Sequence, residues 1–352
     1  MKIIKKISNH NHQINFLNKT QLETYLKKNF TIMDIMIIDK NLSNNHLVKY
    51  YIKNYKNRCL LIKGHEKIKT LENFSTISEK IIKTGIQRKS KIFSLGGGTI
   101  GDLSGFIAST LLRGVDHIMI PTSLLAMVDS SIGGKTGVNS KLGKNLIGTF
   151  YLPTNVIICK DFLKSLPARE ISCGFAEIIK YAFIQAKELK KLLIKSKNLN
   201  KDIDKIIKIS IETKLKFIED FQEKSEGKSA RAILNFGHTV GHAIENSYSY
   251  GNMIKHGEAI AIGMIVEYSL SNLLGHNNES TDTLKFLLNK YNLPTNYKKF
   301  VNGRTIPKLI KKMMLDKKAS DDYVNLISIK KDNGFINKIS FKNLNKFLFK
   351  IN

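Results

Sequence analysis

SLGGGTIGDLSGFIASTLLRGVDHIMIPTSLLAMVDSSIGGKTGVNSKLGKNLIGTFYL, residues 94–152, is rich in glycine within a chain otherwise crowded with Lys, Ile and Asn. Gly96, Gly98 and Gly101 fit G-x-G-x-x-G. They directly follow the apolar run KIFSL (91–95) and precede the small-residue helical pattern DLSGFIASTLL. A strand before and a helix behind is the context in which this motif binds a dinucleotide. The first glycine permits the tight turn, the second lets a pyrophosphate approach, and the third lets the helix pack closely. The ordinary alternative is a turn that only packs. The next apolar run, HIMIP (117–121), ends in Thr122 and Ser123 rather than an acid, which fits an ordinary Rossmann dehydrogenase poorly. Beyond it, DSSIGGKTG and KLGKN place Asp129, Lys135, Lys144 and Asn145 on flexible, glycine-rich backbone suited to a phosphate or carboxylate. Each lysine taken singly reads equally well as solvated surface.

Working outward, MDIMIIDKN ends an apolar run on Asp39 and Asn41, and RCLLIKG (58–64) is a second buried-strand pattern. HEKIKTLENFSTISEKIIKTGI has helical spacing, with Glu66 and Lys69 at its start, and residues 1 to about 55 read as short strands and turns. The order β-α-β-α-β predicts a parallel, doubly wound sheet whose strand ends face ligands. After Pro153 the texture changes. VIICKDFLKSLP (156–167) reads as one more strand and a turn. ISCGFAEIIKYAFIQ, IDKIIKISIETKLKFIEDF, RAILNFGHTVGHAIENSYS and GEAIAIGMIVEYSLSNLL then read as helices, and YVNLISIKKDNGFINKISF as a small strand pair. The expected architecture is an α/β Rossmann-like nucleotide-binding domain over residues 1–160 and an all-α domain over residues 161–352, with the active site in the cleft between them.

A length of 352 residues accommodates two domains, and 42% hydrophobic with 24% charged residues is a globular composition. The formal net charge of +28 admits a nucleic-acid or membrane-surface partner, but the lysines are scattered, with no arginine stripe or basic tail. The sequence therefore predicts no nucleic-acid and no membrane partner. Cys59, Cys159 and Cys173 show no CxxC spacing, which argues for a reducing compartment and against a thiolate metal site. MKIIKKISNHNHQI lacks a sustained apolar run, and no segment approaches the roughly 20 apolar residues of a spanning helix. The expectation is a cytoplasmic protein.

The helical half holds a candidate metal site. His238 and His242 are four apart and share one helical face, His256 follows in KHGEAIAIG, and Glu177 sits in GFAEIIKYA, beside glycines that open space. Three His and one Glu without Cys suit Zn²⁺ or a similar divalent ion with an open position for substrate. Any one of these histidines alone reads as structural, and spacing does not say which three groups are ligands. With lysines and Arg231 available for anions, the combination points to metal-assisted redox at a carbinol carbon of an anionic substrate.

Six segments, LGGGTIGDLSGFIAST, LRGVDHIMIPTSLLAMVDSSIGGKTGVN, LGKNLIGTFY, GFAEIIKYA, RAILNFGHTVGHAIE and KHGEAIAIGM, together resemble the 3-dehydroquinate synthases, from about Asp39 to Lys318. The resemblance implies conversion of 3-deoxy-D-arabino-heptulosonate 7-phosphate, a sugar phosphate, to 3-dehydroquinate and phosphate, the second step of the shikimate pathway. It implies NAD and one Zn²⁺ or Co²⁺ per subunit, with Glu177, His238 and His256 as metal ligands. NAD contacts carried over by motif are Asp39, Asn41, Glu66, Lys69, the turn Gly98, Thr99, Ile100, Gly101 and Asp102, then Thr122, Ser123, Lys135, Lys144 and the segment Phe162, Leu163, Lys164 and Ser165. Substrate and catalytic contacts are Asp129, Lys135, Asn145, Lys180, Lys214, Arg231, Asn235, His242, Lys317 and Lys318. Arg113 resembles an arginine passed to a neighbouring subunit's phosphate site, which implies a homodimer. The chain departs from the family pattern at Ser123, at His65 just before Glu66, and in EDFQEKSEGKSA (219–230) between Lys214 and Arg231. The competing readings are a related sugar-phosphate cyclase with different groups around the substrate, a metal-dependent polyol or glycerol-phosphate dehydrogenase, and a non-enzymatic binding protein.

Overall fold

A computed structural model describes residues 1–7, 10–218, 231–248, 253–276, 280–314, 319–320 and 322–351. The chain divides into two compact units, one formed by residues 1–166 and the other beginning at Pro167.

In the first unit the elements are β1 (Lys2–Ile7), β2 (His10–Phe16), α1 (Lys19–Asn29), β3 (Ile35–Asp39), α2 (His46–Asn54), β4 (Cys59–Ile62), α3 (Leu71–Lys83), β5 (Lys91–Gly96), α4 (Gly98–Thr110), β6 (Asp116–Pro121), β7 (Lys135–Ser140), β8 (Gly143–Phe150) and β9 (Asn155–Ile158). Seven strands form one sheet in the order β1-β2-β9-β6-β5-β3-β4. All its pairings are parallel except β1 with β2 at the edge. The runs IMIID and KIFSLG are almost continuously buried, as strands covered on both faces must be. Ile100, Leu103, Phe106 and Ile107 of α4 pack on Ile35, Ile37 and Ile92 of the sheet. The third glycine of the motif permits this closeness, because a Cβ on Gly101 would lie 1.9 Å from Met119 Cε.

Two expectations change here. Residues 1–55 are not only strands and turns, for they include α1 and α2. The first of these is closed by a capping box in which Asn18 Oδ1 accepts from the Gln21 amide at 2.9 Å and Gln21 Oε1 from the Asn18 amide at 3.0 Å. Residues 135–150 form the ribbon β7–β8 rather than loops, with Gly137 opposite Gly148 and a register shift between Val138 and Ser140. Glycine there marks close backbone approach rather than a turn.

The second unit contains α5 (Ala168–Ile184), α6 (Lys187–Lys195), α7 (Leu199–Lys216), α8 (His238–Ser247), α9 (His256–Leu273), α10 (Asp282–Lys290), α11 (Ile306–Met314), β10 (Ala319–Ser320), β11 (Tyr323–Lys330), β12 (Asn333–Ser340) and α12 (Phe341–Lys350). It is mainly helical. Its one described sheet, β10-β11-β12, is antiparallel and includes the strand pair expected from YVNLISIKKDNGFINKISF. Val240, Ile244, Ile262, Val266, Val324 and Leu344 are among the side chains of its core.

Candidate active site

In the first unit the predicted residues gather where the parallel strands end. Asp39 closes β3, and its Oδ1 accepts from the amides of Asn41 at 3.0 Å and Gly64 at 3.3 Å. Gly96 closes β5, and α4 opens after Gly97, which offers no side-chain cap. The first intrahelical bond is Gly101 N to Gly97 O at 3.1 Å. The N–H groups of Gly98, Thr99 and Ile100 precede it, which leaves them the donors an anion uses at a helix N-terminus. Ile100 is fully buried, so its backbone is what it offers. Thr122, just past β6, donates its amide to the Gly96 carbonyl at 2.9 Å. Ser123 Oγ accepts from Ala126 N at 3.3 Å, opening the π-helical turn Ala126–Ser130 that carries Asp129.

Lys69 is a buried hub. Its ammonium donates to Asp102 Oδ2 at 2.6 Å and to Asn145 Oδ1 at 2.5 Å, and lies 3.8 Å from Glu66 Oε1. Asn139, which sequence reasoning missed, completes the cluster. Its Nδ2 donates to Glu66 Oε1 at 2.9 Å, while its Oδ1 accepts from the Asn145 amide at 2.9 Å, with Asn145 held at φ +53. Burial raises the Asp102 carboxyl above its usual range, and the Lys69 ammonium opposes the shift without cancelling it. Glu66 begins a single 3-10 turn, Glu66–Ile68, with Lys69 at its exit, and α3 starts only at Leu71, later than the helical spacing suggested. His65 adopts φ −123, extended backbone open to any residue, and its Nδ1 accepts from Lys67 N at 3.2 Å. Lys135 opens β7 and Lys144 lies on β8. The 3-10 segment Lys160–Ser165 follows β9. There Phe162 is buried, Leu163 is half-buried, Lys164 pairs with Asp161 at 2.6 Å, and Ser165 Oγ donates to the Phe162 carbonyl at 3.2 Å. Arg113 is exposed, with φ +69, at the end of the turn Leu111–Arg113.

In the second unit, Glu177 of α5 is fully buried, and its Oε1 lies 3.4 Å from His238 Nε2 and 3.6 Å from His256 Nε2. Lys180, one turn on, pairs with the same carboxylate. Burial alone would raise Glu177, but Lys180 and His238 outweigh it and hold the carboxyl well below the usual range. Burial lowers His238 despite Glu177. Burial also works against a charged His256, yet Glu177 and Glu245 prevail and raise it to about 10. Glu177, His238 and His256 present one donor each within 4.8 Å of one another, as do His242, Glu245 and His256. The His242 ring lies 5.2 Å from that of His238 and 5.8 Å from that of His256. Sequence reasoning missed Glu245, although its spacing was readable, three residues after His242 and seven after His238.

Glycines bring these helices together rather than opening space. A Cβ on Gly263 of α9 would lie 2.0 Å from the Gly237 carbonyl, and one on Gly257 would lie 2.5 Å from Cys173 Cα of α5. RAILNFGHTVGHAIENSYS is therefore broken. Arg231–Asn235 form a 3-10 segment, Gly237 turns at φ +77, and α8 begins at His238. Having no cap of its own, α8 borrows one. Buried Glu267 of α9 accepts from Gly237 N at 3.0 Å, Val240 N at 3.4 Å and, on β11, Ile327 N at 3.4 Å. Lys214 on α7 and Arg231 are buried cations in this unit, and Asn235 ends the 3-10 segment. Lys317 and Lys318 lie outside the described residues, as does EDFQEKSEGKSA (219–230).

Residues 59–173 match the family profile described as 3-dehydroquinate synthase N-terminal, and residues 174–319 match 3-dehydroquinate synthase C-terminal. The chain belongs to the 3-dehydroquinate synthase family. The 3-dehydroquinate synthase of Prochlorococcus marinus (strain MIT 9215) is 42% identical over 310 residues, 84% of this chain and 83% of that one. That of Pelagibacter ubique (strain HTCC1062) is 38% identical over 334 residues, 90% and 88% of the two chains. Among solved structures, a 2-deoxy-scyllo-inosose synthase complexed with carbaglucose-6-phosphate, NAD⁺ and Co²⁺ superposes with TM-score 0.83 at 23% identity, covering 99% of this chain and 100% of that one. The likeness supports the two-part fold of a 3-dehydroquinate synthase. No helix among the described residues is long and apolar enough to cross a membrane.

Proposed function

We propose that this chain converts 3-deoxy-D-arabino-heptulosonate 7-phosphate into 3-dehydroquinate and phosphate, using NAD and one Zn²⁺ or Co²⁺, as a cytoplasmic homodimer. The observation that carries the reading is the convergence of Glu177, His238 and His256, set in a chain of this family. The donor set fits a divalent ion. A fully buried carboxylate facing two imidazole nitrogens, with no thiolate, is a Zn²⁺ or Co²⁺ environment. The turn after β5 fits a dinucleotide, because the N-terminus of α4 carries no side-chain cap, and Asp39 and Glu66 lie near by for ribose hydroxyls. When bound, NAD supplies a hydride acceptor that is regenerated each turnover, and the ion supplies a Lewis acid at adjacent hydroxyls.

The rest falls to the chain's own residues. Lys135, Lys180, Lys214 and Arg231 hold the phosphate and carboxylate, stabilising charge as it develops, and Asp129, Asn145 and Asn235 fix orientation. Lys144 and the segment Phe162–Ser165 border the cofactor. Lys317 and Lys318 add cations for the substrate. His242, beside both ligand imidazoles but outside the Glu177 group, relays protons. Arg113 reaches the phosphate of a second copy. The reading draws on both units, the nucleotide groups lying between Asp39 and Ser165 in the first and the metal groups between Glu177 and His256 in the second.

Incubating the purified chain with the heptulosonate phosphate, catalytic NAD and Zn²⁺ or Co²⁺ should release phosphate without accumulating NADH. No phosphate release would overturn the reading, and stoichiometric NADH would identify a dehydrogenase instead.

A further inference from the structure

Among the described residues of the second unit, two overlapping groups offer three donors to one ion, Glu177–His238–His256 and His242–Glu245–His256, and His256 belongs to both. The hydrogen bond that each ring makes through Nδ1 decides between them. An imidazole nitrogen that carries a hydrogen has no lone pair for a metal. Carboxylate and carbonyl oxygens only accept. His256 Nδ1 therefore donates to Glu245 Oε2 at 3.1 Å, and His238 Nδ1 donates to the Phe236 carbonyl at 3.2 Å. In each neutral ring the lone pair is then on Nε2, and both Nε2 atoms face the same Glu177 oxygen.

Resting on the reading that this centre binds a divalent ion, we infer that Glu245 is a positioning residue rather than a ligand. It accepts the Nδ1–H of His256 and so turns Nε2 of that ring toward Glu177 and His238. Glu245 sits two turns beyond His238 on the same face of α8 and is buried. His256, by contrast, is the first residue of α9, and a third of its side chain is exposed, so packing alone does not fix its ring. The two ligand rings are thus oriented differently, His238 by a backbone carbonyl that no substitution removes and His256 by one side chain. A carboxylate behind a ligand imidazole also makes the ligand more basic.

The test compares the full-length wild type, E245A, E245Q and E177Q by chelator competition for Zn²⁺ and by the absorption spectrum of the Co²⁺-saturated chain. Truncating Glu245 to Ala should weaken Zn²⁺ binding by about 10–100-fold. E245Q should recover part of that loss, because its amide oxygen still accepts from Nδ1. At saturation both should keep the wild-type Co²⁺ spectrum, whereas E177Q should change it. Unchanged Zn²⁺ affinity in E245A overturns the inference, and so does a Co²⁺ spectrum altered as in E177Q, which would make Glu245 a ligand. If E245A does not fold, E245Q carries both readouts, and an affinity equal to wild type then overturns the inference. Tight binding by wild type, weak binding by E177Q and no effect in E245A would sink the inference alone. A wild type that binds no ion would sink the metal reading with it.

Discussion

Lys69 joins three segments with one ammonium, the 3-10 exit after Glu66, the second turn of α4 at Asp102 and the ribbon at Asn145. Replacing it with Met would leave the Asp102 carboxylate largely buried and without that cation. The expected cost is on the order of 3 kcal/mol in urea melts, with a parallel loss of NAD affinity by titration. His117 is a different case. It is buried against Ser94, whose Oγ lies 2.8 Å from its Nε2, and burial lowers its imidazole to about 4. Below pH 6.5 the unfolded chain takes up a proton at this residue that the folded chain refuses until about pH 4. Stability therefore falls with pH through that window and levels off beneath it, by at most about 3 kcal/mol from this group. H117Q, which cannot take the proton, should show a correspondingly shallower loss when melts are compared between pH 7 and pH 4.

The glycine crossings matter most among elements. Gly263 lets α9 lie on the turn into α8, and a methyl there would meet the Gly237 carbonyl at 2.0 Å. G263A should lower the melting temperature, overpacking of this kind costing about 1–3 kcal/mol. It should also weaken Zn²⁺ binding, since Gly237 precedes His238. Near the amino end, N18A removes one half of the α1 capping box and should cost about 1 kcal/mol. Those two positions also mark what the sequence made legible. The strand–glycine–helix order at 91–110 and the helices bearing Glu177, His238 and His256 were readable, because long apolar runs and i, i+4 spacing carry them. Helix α1 was hidden because it buries only Leu22 and Leu26, too narrow a stripe to stand out, although Asn18 and Gln21 announced its cap. The ribbon β7–β8 was hidden because Gly137 and Gly148 look like loop markers until they are paired. The Lys69–Asn139–Glu66 cluster joins residues some 70 positions apart in the chain, beyond the reach of any local pattern. Glu245, unlike these, could have been found by extending the histidine face one more turn.

Across the whole molecule the charge of +28 is spread along the chain, and each folded unit has an extensive apolar core. Chelation should therefore abolish phosphate release while leaving the far-ultraviolet circular dichroism intact, and adding Zn²⁺ or Co²⁺ back should restore turnover. This contrasts with small zinc domains that unfold without metal. The carboxylate of Glu267 makes the contrast sharper. Because it holds the amides of Gly237, Val240 and Ile327 from within the protein, those amides should exchange slowly in chelated and metal-loaded chain alike. The expected order in making the enzyme is folding first and metal second: chain refolded under chelator should regain its far-ultraviolet signal, and turnover should then return at a rate set by ion supply and entry.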